Sequence, residues 1–300
     1  MNDYARNALK GHSSHGNFCH VIIYFASCRF IMSKNRELAY RYDLFITPEW
    51  RDRFDTIINE SVKIPLEGRI LDVNCGTGSH AIELAERMRG QGEVLGVDPS
   101  AERVEIARAK ALAKKVEGVS FEQGSGADLR FESHEFDAVI GDASLLPTEE
   151  VEDVLAEMIR VAQPDAQVIL KLTTRGSFDE FFSIYWEALL DVGIVNGVWA
   201  QLEAMINERM TVSEAERLAV RTGLREVQSF NTKEEFSFET ASDFIESPLI
   251  QDAFLDYWLG IIPQELYEEV RARIISIIER EWRDAPFDIS IKATVVVGRK

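Results

Sequence analysis

The residues with the clearest chemical potential form one short block, Ile70-Leu71-Asp72-Val73-Asn74-Cys75-Gly76-Thr77-Gly78, with Asp98 twenty residues after Gly78. Glycines without a Cβ let a backbone turn tightly and lie against a flat ligand. A carboxylate at the end of the following strand can accept both hydroxyls of a ribose. Two ligand types fit this spacing. Gly76-Thr77-Gly78-Ser79-His80-Ala81 matches the G-x-G-x-x-G/A dinucleotide pattern, where a helix N-terminus faces a pyrophosphate. Asp72, four residues before Gly76, argues against that reading, because a carboxylate beside the turn repels a pyrophosphate. It favours a ligand that carries an ammonium group and a sulfonium.

Other reactive side chains offer less. Cys75 has no nearby base and reads as a small packed residue. His80 falls in the first turn after the glycines and reads as a partly buried spacer rather than a catalyst. His134 and Asp142 are the weak candidates for a general base; no catalytic residue is otherwise assigned. Three cysteines and five histidines show no metal-ligand spacing, so no metal is expected. Tyr42, Trp50 and Trp258 are the candidate substrate contacts.

These residues must be held by regular elements. Arg69–Val73, Glu93–Val97, Val119–Glu122, Phe136–Ile140 and Gln167–Leu172 read as strands, alternating with helices from Ser79 to about Met88, Ala101 to Lys115 and Glu149 to Ala162. Repeated strand–helix units imply a parallel sheet with helices on both faces, and ligands at the strand carboxyl ends. Ser79 is the expected N-cap of the first of these helices. Upstream, residues 35–62 read as helix, with Thr47-Pro48-Glu49 as the start of its second part. Downstream, 176–192 and 197–221 read as helices, Leu224–Phe230 as a sixth strand, 240–284 as mostly helical and Asp288–Val297 as a final strand.

The sequence of these blocks resembles the class I S-adenosylmethionine-dependent methyltransferases, particularly those of ubiquinone and menaquinone biosynthesis. Leu71–Gly78 looks like that family's first motif. Gly96-Val97-Asp98-Pro99-Ser100 is similar to its second, Phe121–Leu129 to its third, and Phe136–Ser144 to the strand-four motif beside the methyl-transfer site. Leu155–Leu170 resembles the helix and strand that follow. The resemblance covers about residues 69–172. It departs from the pattern at Ser125, where an acid is common, at Asn74, where a small residue is usual, and at Asp165-Ala166, where two glycines are frequent.

The resemblance implies a Rossmann-like, doubly wound α/β fold: a seven-stranded sheet with an antiparallel last strand and a helical cap insertion. The expected divisions are an extension over 1–31, a helical lid over 32–68, a core over 69–230, a cap over 231–287 and a last strand over 288–300. It implies S-adenosylmethionine as cofactor, held by Asp72, Asn74, Cys75, Gly76, Thr77, Gly78, Asp98, Pro99, Ser125, Gly126, Ala127 and Asp142. The activity implied is methyl transfer to a small molecule. A non-catalytic S-adenosylmethionine-binding protein and an NAD-dependent oxidoreductase are the alternatives.

Composition agrees with this class. The 300-residue chain has 46% hydrophobic and 28% charged residues, an ordinary globular balance. Its net charge of −18, with no Lys/Arg-rich run, disfavours nucleic acid and anionic membranes as partners. A cytoplasmic setting fits the scarce cysteines. Residues 1–31 differ from the rest: Arg6, Lys10 and Arg29 face only Asp3, and Phe18–Met32 is apolar but short for a membrane span. A signal sequence, a native extension and a functional start at Met32 compete; the last is favoured because polar, helix-compatible sequence begins there.

Overall fold

The computed structural model describes residues 33–300, and the expectations for 1–31 lie outside them. Five strands are parallel: β1 (Gly68–Val73), β2 (Gly92–Asp98), β3 (Val119–Gln123), β4 (Phe136–Asp142) and β5 (Ala162–Thr174). β6 (Arg225–Phe238) and β7 (Phe287–Arg299) complete a seven-stranded sheet of order β3-β2-β1-β4-β5-β7-β6. β7 runs antiparallel to both β5 and β6. The fold is the Rossmann-like α/β fold expected, with the antiparallel last strand.

Sequence periodicity explains the layers. Ile70 and Leu71 are both fully buried, yet they belong to the apolar clusters on opposite faces of the sheet, because successive strand side chains alternate. A central parallel strand therefore needs helices on both sides. Four helices of the core matter for the site: α3 (Ser79–Met88), α4 (Ala101–Lys114), α5 (Thr148–Val161) and α6 (Asp179–Val192). Strand order reverses at β1, whose neighbours are β2 and β4. The crevice beyond the carboxyl ends of β1 and β4 is thus the switch point.

Several boundaries differ from expectation. Thr47-Pro48 does not start a helix: α1 (Lys34–Arg41) passes through a π-helical segment, Tyr42–Arg51, into α2 (Asp52–Ser61). The wider turn, with the Asp52 N–H bonded to the Thr47 carbonyl, accommodates a proline that would break an α-helix. The N-cap of α3 is Gly78 at φ 77°, not Ser79, which is its first helical residue. The expected helix 197–221 is two, α7 (Val195–Asn207) and α8 (Val212–Thr222). A capping box between Thr211 and Glu214 starts the second. β6 runs to Phe238, past the expected end at 230. Beyond it come α9 (Ala241–Glu246), a helical run over 248–259 and α10 (Tyr267–Glu281). Among the described residues, no helix is long and apolar enough to cross a membrane.

Candidate functional site

The turn after β1 is built for close approach. Asn74 sits at φ 56°, a conformation Asn tolerates better than most residues. Its Nδ2 donates to the Asp142 carbonyl at 3.0 Å, tying the end of β1 to the end of β4. At Gly78 a Cβ would stand 2.6 Å from the Phe121 ring, so the position admits no side chain. The Gly76 N–H donates to Asp98 Oδ2 and the Ser100 N–H to Oδ1, both at 2.9 Å. Asp98 is thereby fixed at the end of β2. Arg103 Nε lies 3.3 Å from Asp98 Oδ1, and its guanidinium covers the Tyr42 ring at 4.6 Å.

These groups border a cleft of about 830 Å³. Tyr42, Asn74, Asp98, Pro99 and Asp142 line it, as sequence reasoning anticipated. So do Arg51, Arg103 and Gln123, which it missed. Leu38, Ala39, Ile46, Leu145 and Leu146 form an apolar wall, and Asp252 and Ala253 bring the 248–259 run to the rim. Asp252 is held there by two bonds from Arg41, at 2.7 and 3.0 Å.

The other anticipated residues lie elsewhere. Ser125, Gly126 and Ala127 do not line the cleft: Ser125 and Ala127 are exposed, and Gly126 is packed against Val73 and Asn74. Gln123 stands at the mouth instead. Thr77 turns toward the lid, donating to Asp43 at 2.6 Å. Cys75 is buried and its thiol pushed far up by burial first and by Asp72 and Asp98 next, so it is no nucleophile. Trp50 is fully buried, stacked on Phe178 and Phe236, with its indole N–H on Ser144 Oγ at 2.9 Å. Trp258 is fully buried and stacked on Phe181 and Phe254. Neither reaches the cleft; both are core. His134 precedes β4, at the sheet edge opposite the cleft, against Lys300. It is too remote to act as a base there.

Asp142 is in place but held ionised. Burial alone would raise its carboxyl; Arg51, Lys171 and two hydrogen bonds from Ser144 outweigh that and keep it below the usual range. A base with so low an affinity for protons is a poor catalyst at neutral pH.

Behind the cleft lies a buried charge cluster. Lys171 on β5 is fully buried, hydrogen-bonded to Asp55 of α2 and 3.8 Å from Asp142. Arg51 Nη1 donates to Tyr42 Oη and the Asn74 carbonyl, both at 2.9 Å, and its Nη2 lies 3.4 Å from Asp142. Both Asp72 oxygens, Arg51 Nη2, Asp142 Oδ2 and the two His80 ring nitrogens are buried without a hydrogen bond; Arg51 Nη2 and Asp142 Oδ2 face each other as an ion pair, whereas Asp72 has no salt-bridge partner among the described residues. Burial pushes the Asp72 carboxyl up to about 6, against the pull of Lys171 and Arg51. Buried polar groups are normally paired. An unpaired acid and a guanidinium nitrogen with a hydrogen bond to spare, beside one glycine turn, are complementary to the two ends of an amino-acid zwitterion. The residues present therefore fit the methionine part of S-adenosylmethionine, and Asp98 fits its ribose. Arg51 follows an aromatic in the lid segment, and no spacing rule marks it.

Comparisons with known proteins agree with this geometry. A methyltransferase-domain family model matches residues 70–165. The chain is 32% identical over 124 residues to a demethylmenaquinone methyltransferase of Lactococcus lactis, covering 40% of this chain and 49% of that one. It is 28% identical over 176 residues to a ubiquinone/menaquinone biosynthesis C-methyltransferase of Geotalea daltonii, covering 56% and 73%. The chain spans about half the length of the first curated relatives it matches. In fold it is similar to the crystal structure of the YcgJ protein from Bacillus subtilis, with a TM-score of 0.55 at 19% identity over 83% of this chain and 98% of that one.

Proposed function

We propose that the chain is a class I S-adenosylmethionine-dependent methyltransferase that methylates a small organic acceptor bound in the cleft. The observation that carries this reading is the unpaired Asp72 carboxylate beside the glycine turn, with Arg51 next to it and Asp98 at the next strand end. When bound, S-adenosylmethionine supplies an electrophilic methyl group for in-line displacement. Asp72 accepts its ammonium, Arg51 holds its carboxylate, and Asp98 accepts from the ribose hydroxyls once Arg103 turns aside. The backbone of Gly76–Gly78 provides the close surface. With no poised base at the cleft among the described residues, these residues act by positioning and by excluding water; the apolar wall of Leu38, Ile46, Leu145 and Leu146 does the latter.

The cap packs its large aromatics, Phe254 and Trp258, into the core, which also suits a protein that binds the cofactor without turning it over. Two measurements on the full chain decide. Calorimetry with S-adenosylmethionine and with NAD tests the cofactor. Asp98→Ala should weaken S-adenosylmethionine at least about tenfold, roughly 1.4 kcal/mol. NAD binding with no S-adenosylmethionine binding, or an unaffected Asp98→Ala, overturns the reading. Release of S-adenosylhomocysteine across an acceptor panel separates enzyme from binder.

A further inference from the structure

The charges in and behind the cleft fall into pairs, and Asp72 stands outside them. At the rim Arg41 holds Asp252 through two hydrogen bonds, and Arg103 lies 3.3 Å from Asp98. Glu102, also at the rim, is half-buried and accepts from the Ser100 hydroxyl at 3.2 Å, where solvent screens it. Between the lid and the glycine turn, Lys110 meets Asp43 at 2.6 Å. Behind the cleft, Lys171 engages Asp55, and Arg51 stands 3.4 Å from Asp142. Asp142 and Lys171 are register partners on β4 and β5, so the sheet fixes their separation. Asp72, on β1, has no hydrogen bond and no ion-pair partner among the described residues.

This uncompensated charge lies deep. Arg51, Asp55, Asp72, Asp142 and Lys171 are each no more than 6% exposed. His80 adds no charge to the cluster at neutral pH: burial holds its pKa at about 4 against the pull of Asp55. Cys75 on the same turn adds none either, since burial pushes its thiol far up. Burial also pushes Asp72 up to about 6, which still leaves it ionised at neutral pH. Asp55, Asp72 and Asp142 therefore face only Lys171 and Arg51, and the cluster keeps one negative charge. Salt screens a charge at that depth poorly, and an unbalanced buried acid is costly. Functional sites retain such groups.

The cofactor and its product differ by one charge. The ammonium and carboxylate of the amino-acid end cancel in both, and the sulfonium of S-adenosylmethionine adds one positive charge. When an acceptor lone pair bonds to the methyl carbon, the electron pair of the broken S–C bond stays on sulfur. The thioether that remains is neutral. We propose that the buried excess of one negative charge makes this site select by charge, holding S-adenosylmethionine and releasing S-adenosylhomocysteine, with Asp72 as the selecting residue. The inference rests on the methyltransferase reading and adds to it the means of product release. One unit charge within about 10 Å, at an effective dielectric constant of about 20, changes affinity by about tenfold or slightly more. The acidic surface, at −18 overall, also attracts cations, but salt screens that field and spares the buried one.

The test is calorimetric titration of the full chain at neutral pH with S-adenosylmethionine, S-adenosylhomocysteine and sinefungin. Sinefungin carries an amine at the place of the sulfonium and no transferable methyl group. Both cationic ligands should bind about tenfold tighter than S-adenosylhomocysteine, at about 0.05 M and at about 0.5 M NaCl alike. Asp72→Asn should weaken all three, through the lost ammonium contact, and bring them within about threefold of one another. Asp142→Asn removes the same unit of charge from a group assigned no ammonium contact, and it should narrow the preference likewise. S-adenosylhomocysteine binding as tightly as the two cations, or an Asp72→Asn protein that keeps the tenfold preference, overturns the proposal. So does sinefungin binding no tighter than S-adenosylhomocysteine, which assigns the preference to the methyl group. A preference lost at high salt belongs to the acidic surface, and one intact in Asp142→Asn to a direct contact; either overturns the charge count. Failure of all three ligands to bind sinks the methyltransferase reading instead.

Discussion

Replacing Lys171 by Met tests the idea that a buried ion cluster clamps the lid to the sheet. The ammonium is fully buried, hydrogen-bonded to Asp55 of α2 and 3.8 Å from Asp142. Burial alone would lower the Lys171 pKa, but Asp55 and Asp142 outweigh it and raise it. Asp55 agrees from the other side: burial would raise it, yet the ammonium of Lys171 and the guanidinium of Arg51 hold it low. Removing one member strands a buried carboxylate, which costs about 3–5 kcal/mol. Against a total stability of about 5–15 kcal/mol, that is a large fraction, equivalent to about 6–20 °C in Tm for a domain of this size. Chemical denaturation of Lys171→Met, Asp55→Asn and the double variant closes a cycle. The double variant should cost about 2 kcal/mol less than the sum of the singles, because no lone charge remains. A second readout is independent of stability. Burial first, with Lys171, Arg51 and Arg87 adding to it against the pull of Asp55, holds the His80 pKa at about 4. Lys171→Met should therefore raise the His80 midpoint, measured by NMR titration. Singles that add within about 0.5 kcal/mol, with an unmoved His80 midpoint, would refute the clamp.

Three further outcomes follow from the same geometry. Asp72, at about 6 in the free protein, is ionised above that pH; an arriving ammonium lowers it further. S-adenosylmethionine affinity should be full above pH 6 and fall as pH drops through 6, and calorimetry on Asp72→Asn should show weak binding without that pH dependence. Arg103 contributes a partly exposed ion pair to Asp98, where ribose hydroxyls are expected. Arg103→Met should leave S-adenosylmethionine binding equal or tighter by equilibrium titration, and a tenfold loss would mean that Arg103 itself holds the ligand. Gly78→Ala, at φ 77° and with its Cβ 2.6 Å from Phe121, should lose at least about 1 kcal/mol in denaturation together with cofactor binding.

The neutral His80 also sets a direction for stability. Its folded pKa of about 4 lies below the ordinary 6.5. Its contribution to stability is complete above pH 6.5 and is lost as pH falls toward 4. At neutral pH its 3.6 Å approach to Asp55 is therefore a contact with an uncharged imidazole and not an ion pair.

Local rules made the sheet, the glycine turn and Asp98 legible in the sequence. Ile70-Leu71 and Phe136–Ile140 are apolar runs of strand length, Gly76 and Gly78 mark the backbone that must turn at positive φ, and Ser100 announces its helix by capping it. Each of these signals depends on neighbours within a few positions. The seven strands and the antiparallel last one followed from resemblance, but the order β3-β2-β1-β4-β5-β7-β6 came only with the structure, since pairing between Phe238 and Phe287 leaves no local mark. The surroundings of Arg51, Arg103 and Lys171 were invisible for the same reason. An arginine or lysine in a helix or strand reads as solvated until the fold places it beside Asp142, Asp98 or Asp55. The reverse holds for Trp50 and Trp258: aromatic residues near a ligand edge looked like substrate contacts, and packing decided that they stack into the core. The sequence alone thus determined where the glycine turn and the acid at the end of β2 lie. Only the tertiary structure decided which charges face it, because burial and long-range pairing, not residue type, set whether a charge is neutralised, stranded or free to bind.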